Sequence, residues 1–154
     1  IDVQDDQLAS ARERVDNVLA VTLREALHEP AIEAMELGGD IALQQDDTAG
    51  AIDAYERTLK HIDETGFVVT KYRVTVKLAN VFLDNEDIAA AEPLVGSLIE
   101  SGETPGALRV RARYAHLRGD ANRAVELMET FRSTFVGDWT EADAAALDRY
   151  LDGV

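Results

Sequence analysis

Residues 46–65 read DDTAGAIDAYERTLKHIDET, and the spacing of the residues after Ala51 decides the fold. Tyr55, Thr58 and Leu59 fall four, seven and eight positions beyond it, which is the stripe of one helix face rather than the alternation of a strand. Asp46 and Asp47 stand just upstream as turn and N-cap residues, so the helix has a start signal as well as a face. The same arrangement recurs along the chain. When Ala11, Ala51, Ala91 and Ala124 are superposed, Val15, Tyr55, Val95 and Met128 coincide four positions on, and Val18, Thr58, Leu98 and Phe131 coincide at seven. The upstream pairs Asp6-Gln7, Asp46-Asp47, Glu86-Asp87 and Gly119-Asp120 also coincide.

The last three copies have a second helix ahead of the turn, marked by Gly39, Ala79 and Ala112 and by Ala42, Phe82 and Ala115. Small residues at the first of these positions allow two helices of a hairpin to approach closely. The repeating unit is helix, tight turn, helix, with a period of 40, 40 and then 33 residues. The expected fold class is therefore all-α, a right-handed solenoid of antiparallel helix hairpins. A partial repeat over 7–28 is followed by hairpins over about 31–64, 67–101 and 105–135 and a capping helix over 140–152. Pro30 is expected to stop the first helix, while Thr140 and Asp143 form a box-like cap for the last, whose Leu147, Tyr150 and Leu151 make one apolar face. Two stretches, Tyr72 to Leu78 and Leu108 to Tyr114, alternate apolar and polar residues in the manner of strands. Their fixed offsets before Ala91 and Ala124 favour helix. Pro93 falls inside the helix that begins near Ile88, so a kink or a late start is expected there, and Gly96 weakens the same helix.

The pattern resembles the tetratricopeptide repeat family on Gly39, Ala51 and Tyr55 in one copy, Leu78, Phe82 and Ala91 in the next, and Gly119, Ala124 and Phe131 in the last. The resemblance covers roughly residues 31 to 135. No copy has the family's Trp or its closing Pro, and the longer spacings exceed the usual ~34 residues, so another all-helical repeat fits the same pattern. The resemblance implies a protein-binding module in which the first helices of the hairpins line a concave groove for extended or helical peptides.

The 154 residues carry 15 Lys and Arg against 30 Asp and Glu, a net charge of -15, and 46% are hydrophobic. That supply of apolar side chains builds a core, and the acidity argues against nucleic acid as a partner. No cysteine is present, which excludes disulfides and thiolate chemistry. No apolar run approaches the roughly 20 residues of a membrane helix, so no membrane partner is expected for this segment. The chain begins with Ile1, and a hairpin partner for the first helix would lie before it, so a longer parent protein and self-association through the N-terminal helix are both expected.

No cofactor, metal or enzymatic motif stands out. His28, His61 and His116 fit no metal pattern, and His28 is expected at a helix C-terminus. Gly38-Gly39 lacks the lysine and strand of a phosphate loop, and Ser10, Ser97, Ser101 and Ser133 lie in no nucleophile elbow. The acid pairs Asp5-Asp6 and Asp46-Asp47 are accounted for by turns and caps. Trp139 is expected to pack over the final hairpin.

The cations are unevenly placed. No acid occurs between Thr65 and Leu83, which holds Lys71, Arg73 and Lys77, nor between Thr104 and Gly119, which holds Arg109, Arg111, Arg113 and Arg118. Both segments are first helices of hairpins. Given the resemblance, Arg73, Lys77, Asn80, Arg109, Arg113 and His116 are the candidate peptide-binding residues, suited to an acidic peptide or a C-terminal carboxylate. Asn80 falls where the family often places a peptide-contacting Asn, whereas the neighbouring copies carry Asp40 and Arg113 there. The alternative is that these cations only neutralise acidic second helices nearby. At the level of the whole protein, the competing role is a sensory or structural domain of a multidomain regulator.

Overall fold

The turns between helices repeat in detail. Asp46, Glu86 and Gly119 adopt left-handed backbone at φ 57°, 56° and 82°, and each is followed by an aspartate whose N–H reaches back to Ala42, Phe82 or Ala115 at 2.8 to 2.9 Å. Those aspartates, Asp47, Asp87 and Asp120, then accept the N–H of Gly50, Ala90 and Arg123 at 2.8, 3.0 and 3.0 Å. One residue thus closes a helix and the next caps its successor. Glycine takes the left-handed position freely; the two acidic residues hold it at a cost of roughly 1–2 kcal/mol, imposed by the short connection.

A computed structural model describes the chain from Val3 to Val154, with side chains from Asp6 onward, Val69 excepted. Its helices are α1 (Val3–Arg24), α2 (His28–Gln44), α3 (Thr48–Thr65), α4 (Lys71–Asp84), α5 (Ile88–Glu100), α6 (Pro105–Leu117), α7 (Ala121–Thr134) and α8 (Glu141–Leu151). Short 3-10 turns occupy Val68–Thr70 and Val136–Asp138, and the described residues form no strand. The chain divides into two units, Ile1–Val81 and Phe82–Val154.

In the first unit α2 packs against α3 and α1 packs on α2. The hairpin is close because Gly39 has no side chain: a Cβ there would stand 2.5 Å from Cε1 of Tyr55, whose ring is fully buried in that gap. Ile32, Ile62, Val74 and Leu78 are also buried, and Val15, Ala34 and Ile41 join α1 to α2. In the second unit Phe131 of α7 is surrounded by Leu108, Ala112 and Ala115 of α6 and by Leu147 and Tyr150 of α8. Trp139 packs against this core, its ring 5.3 Å from that of Phe131, so it lies over the final hairpin as expected.

Both alternating stretches are helical, within α4 and α6. Burial explains the ambiguity. Val74, Leu78 and Val81 are buried on one stripe of α4, and so is Thr75, whose hydroxyl donates to the Lys71 carbonyl at 2.8 Å, while Arg73 is exposed and Lys77 half-buried.

Three local expectations are corrected. α1 ends at Arg24 rather than near His28, because Ala26 turns left-handed at φ 56° and the Leu27 N–H closes on Thr22. His28 therefore opens α2 instead of ending α1. Pro30 sits in the first turn of α2, where its missing N–H costs nothing. The first copy also lacks its turn, since α1 runs through Asp6 and Gln7. Finally, α5 shows no late start: it begins at Ile88 with Pro93 inside it, and Ala89, whose carbonyl loses its donor to the proline, is an exposed residue. Ile1 lies outside the described residues, as does the side chain of Asp5.

Candidate functional site

The candidate residues fall into two sets, Arg73, Lys77 and Asn80 on α4 in the first unit and Arg109, Arg113 and His116 on α6 in the second. In the first set, Arg73 donates from Nε and Nη2 to the Glu36 carboxylate at 2.8 and 2.6 Å. Lys77 bridges Glu36 at 2.7 Å and Asp40 at 2.7 Å, and Asp40 accepts the Tyr55 hydroxyl at 2.6 Å. Burial pushes the Glu36 carboxyl up, but the hydrogen bonds and charges of Arg73 and Lys77 outweigh it and hold it below its ordinary value. Burial, reinforced by the bond to Asp40, pushes the Tyr55 phenol far up. Asn80 is half-buried.

In the second set, Arg109 grips Asp143 of α8 with Nε to Oδ1 at 2.7 Å and Nη2 to Oδ2 at 2.9 Å, and lies 4.5 Å over the Phe131 ring. The Arg109 bond, aided by Thr140 and opposed by burial, lowers the Asp143 carboxyl to about 2. Arg113 donates to Asp84 at 2.6 Å and to the Leu83 carbonyl at 3.2 Å. His116 lies against Tyr150, ring centres 4.6 Å apart.

These partners differ from those the sequence suggested. Glu36, Asp40 and Asp84 sit on other first helices and Asp143 on the terminal helix, whereas Lys71 to Asp63 and Arg118 to Glu92 reach second helices. Two of the pairs are also asymmetric in depth. The side chains of Glu36 and Asp143 are each 6% exposed, whereas those of Arg73 and Arg109 are 55% and 39% exposed. Buried carboxylates hold the guanidinium groups in fixed positions while the outer surface stays cationic. Sequence reasoning missed both acids as members of the site because each lies more than thirty residues from its partner.

Histidines 28 and 61 are brought together, Nδ1 to Nε2 at 3.3 Å. No group of three or more metal-ligating side chains occurs among the described residues, and no helix there is long and apolar enough to cross a membrane.

Stacked helical hairpins with a repeated left-handed turn define an all-α repeat protein. The fold is that of the tetratricopeptide-like repeats. It is similar to a crystal structure from Podosopora anserina described as the nearly identical TPR-like repeats of a proposed kinesin light chain, with a TM-score of 0.70 and 18% identity over 97% of this chain and 80% of that one. No family model and no curated protein matches the chain.

Proposed function

We propose that the chain is a non-enzymatic protein-interaction module that takes acidic peptide, or a C-terminal carboxylate, onto the first-helix faces carrying Arg73, Lys77 and Asn80 and Arg109, Arg113 and His116. The observation that carries this reading is the depth asymmetry of the ion pairs. Arg73 and Arg109 are each oriented from below by a buried acid, and a pre-oriented guanidinium loses little freedom when it accepts a second carboxylate from above. The negative charge of the remaining surface repels acidic chains that miss these faces, which sharpens selection. A fluorescein-labelled peptide Gly-Ser-Glu-Glu-Asp-Glu-Ser-Gly is expected to bind with an affinity that falls as salt is raised. The changes Arg73→Gln, at an exposed side chain, and Arg113→Gln, at a half-buried one, should each weaken it about tenfold with helicity unchanged, the loss of one charge-assisted contact apiece. Affinity indifferent to salt and to both changes would overturn the reading.

A second partner follows from α1. Its outer face and α2 enclose an apolar groove of about 390 Å³ lined by Val15, Val18, Ala34 and Leu37, with Arg14 and Glu33 on its rim. Val18 and Leu37 are each 49% exposed. We propose a second copy as the occupant, because a two-fold pairing sets Arg14 of each copy against Glu33 of the other and covers both apolar strips at once. Light scattering across a concentration series should show dimer formation for the wild type and monomer for Val18→Ser with Leu37→Ser. A wild type monomeric throughout the series would remove this interface.

A further inference from the structure

Helix α6 carries guanidinium groups on opposite faces. Arg109, Arg113 and His116 share one; Arg111 and Tyr114, with Arg118 at the C-cap, three and four residues apart, share the other. Around the second face α5 contributes Val95 and Ile99, and α7 contributes Arg123 and Leu127, enclosing an open groove of about 440 Å³ that lies wholly within the second unit. That volume falls within the range of sites that hold a ligand.

The groove is apolar below and cationic above. Val95, Ala115 and Leu127 are buried beneath it, and Ile99 presents an aliphatic side chain 56% exposed. Three guanidinium groups line it against one carboxylate, in a protein of net charge -15. That carboxylate, Asp120, is already engaged in capping α7 through the Arg123 N–H at 3.0 Å. Arg118 donates to the Tyr114 hydroxyl at 3.1 Å and to Glu92 at 3.3 Å, and Arg123 donates to Glu126 at 2.8 Å. Glu92 and Glu126 are both well exposed, and such pairs contribute little, so a ligand carboxylate displaces them readily. Arg111 is half-buried and has neither a hydrogen bond nor an ion pair with any described residue. A guanidinium partly withdrawn from water without an acceptor is unfavourable until a ligand supplies one.

We propose that this groove binds an acidic peptide segment with a central aliphatic side chain: the aliphatic group rests on Val95, Ile99 and Leu127, and the flanking carboxylates pair with Arg111, Arg118 and Arg123. The site is distinct from the first-helix faces, whose α6 residues point the other way. The charge balance selects the flanks and the floor selects the centre, so neither a purely acidic nor a purely apolar segment satisfies it.

The test is fluorescence anisotropy with a labelled peptide Gly-Ser-Asp-Glu-Leu-Glu-Asp-Ser-Gly. Arg111→Gln is expected to weaken binding about tenfold, the loss of one charge-assisted carboxylate contact, and Ile99→Ser several-fold. Replacing the peptide's Leu by Ser, or its acids by their amides, should have comparable effects. Arg57→Gln, at an exposed arginine of α3 that belongs to neither site, should leave this affinity unchanged, and the dependence on the peptide's Leu separates the groove from the first-helix faces. Three results overturn the proposal: binding indifferent to Arg111→Gln and Ile99→Ser, a loss matched by Arg57→Gln, or competition by inorganic phosphate as effective as that by unlabelled peptide. Circular dichroism of each variant checks that the helices persist, and Arg111→Lys, which keeps the charge and the stem, reports on the contact if Arg111→Gln fails to fold.

Discussion

Phe131→Ala is expected to destabilise the second unit by about 4 kcal/mol, the middle of the range for truncating a buried aromatic ring. Phe131 is fully buried and touches residues of both α6 and α8, so its removal opens a cavity where α6, α7 and α8 meet. Neighbouring groups add to the loss. The Trp139 ring lies 5.3 Å and the Phe135 ring 6.2 Å away, and the Arg109 guanidinium stands 4.5 Å over the face of Phe131. A loss of that size is a large part of the roughly 5–15 kcal/mol that holds an ordinary domain together. Urea unfolding followed through Trp139, the chain's single tryptophan, measures it directly. Phe131→Leu, which retains most of the volume, should cost less than half as much. Equal losses for the two variants, or a loss for Phe131→Ala below about 1 kcal/mol, would show that the ring is not the keystone of this core.

Much of this fold is legible in the sequence because the turns carry their own chemistry. Asp47, Asp87 and Asp120 cap α3, α5 and α7 through side-chain bonds to the third residue on, and each was identifiable from its offset to the repeat alanine. Gly39 was legible as a point of close approach, and Tyr55 fills the space it leaves. The end of α1 was not legible, since Ala26 has none of the side-chain signals of a left-handed turn and adopts one only because the connection to α2 is short. The cationic segments could be found by composition, but their partners could not. Counting acids within a segment gives no view of Glu36 or Asp143, which come from other helices. Arg111, Tyr114 and Arg118 were within reach of the same reasoning: their spacing sets them opposite Arg109 and Arg113 on α6, and only the groove formed with α5 and α7 gives that face a meaning.

Asp143 is where capping and ion pairing meet, and Asp143→Ala is expected to cost about 3 kcal/mol, more than an ordinary surface pair. Its carboxylate accepts the Thr140 N–H at 2.9 Å while its own N–H is taken by the Thr140 hydroxyl, so the residue closes the cap of α8. The same carboxylate receives the two bonds from Arg109, which also reaches the Asp138 carbonyl at 2.7 Å. Removing it leaves a half-exposed guanidinium over the core without its counterion and frees the start of α8 at once. The pH dependence follows from the direction of the shift. With the folded carboxyl lowered to about 2, below its ordinary value of 3.8, the interaction contributes fully above the ordinary value and is lost as the pH falls through about 2. A shift of that size corresponds to about 2 kcal/mol. Asp143→Asn, which keeps the shape and removes the charge, should therefore be less stable than the wild type at neutral pH, and the gap should close between about pH 4 and pH 2. Glu36 is held low in the first unit by Arg73 and Lys77 and loses stability in the same direction, but it is present in both proteins and cancels in the comparison. A gap between wild type and Asp143→Asn that persists unchanged down to about pH 2 would mean that the side chain stabilises α8 by its hydrogen bonds and shape alone, with no contribution from its charge.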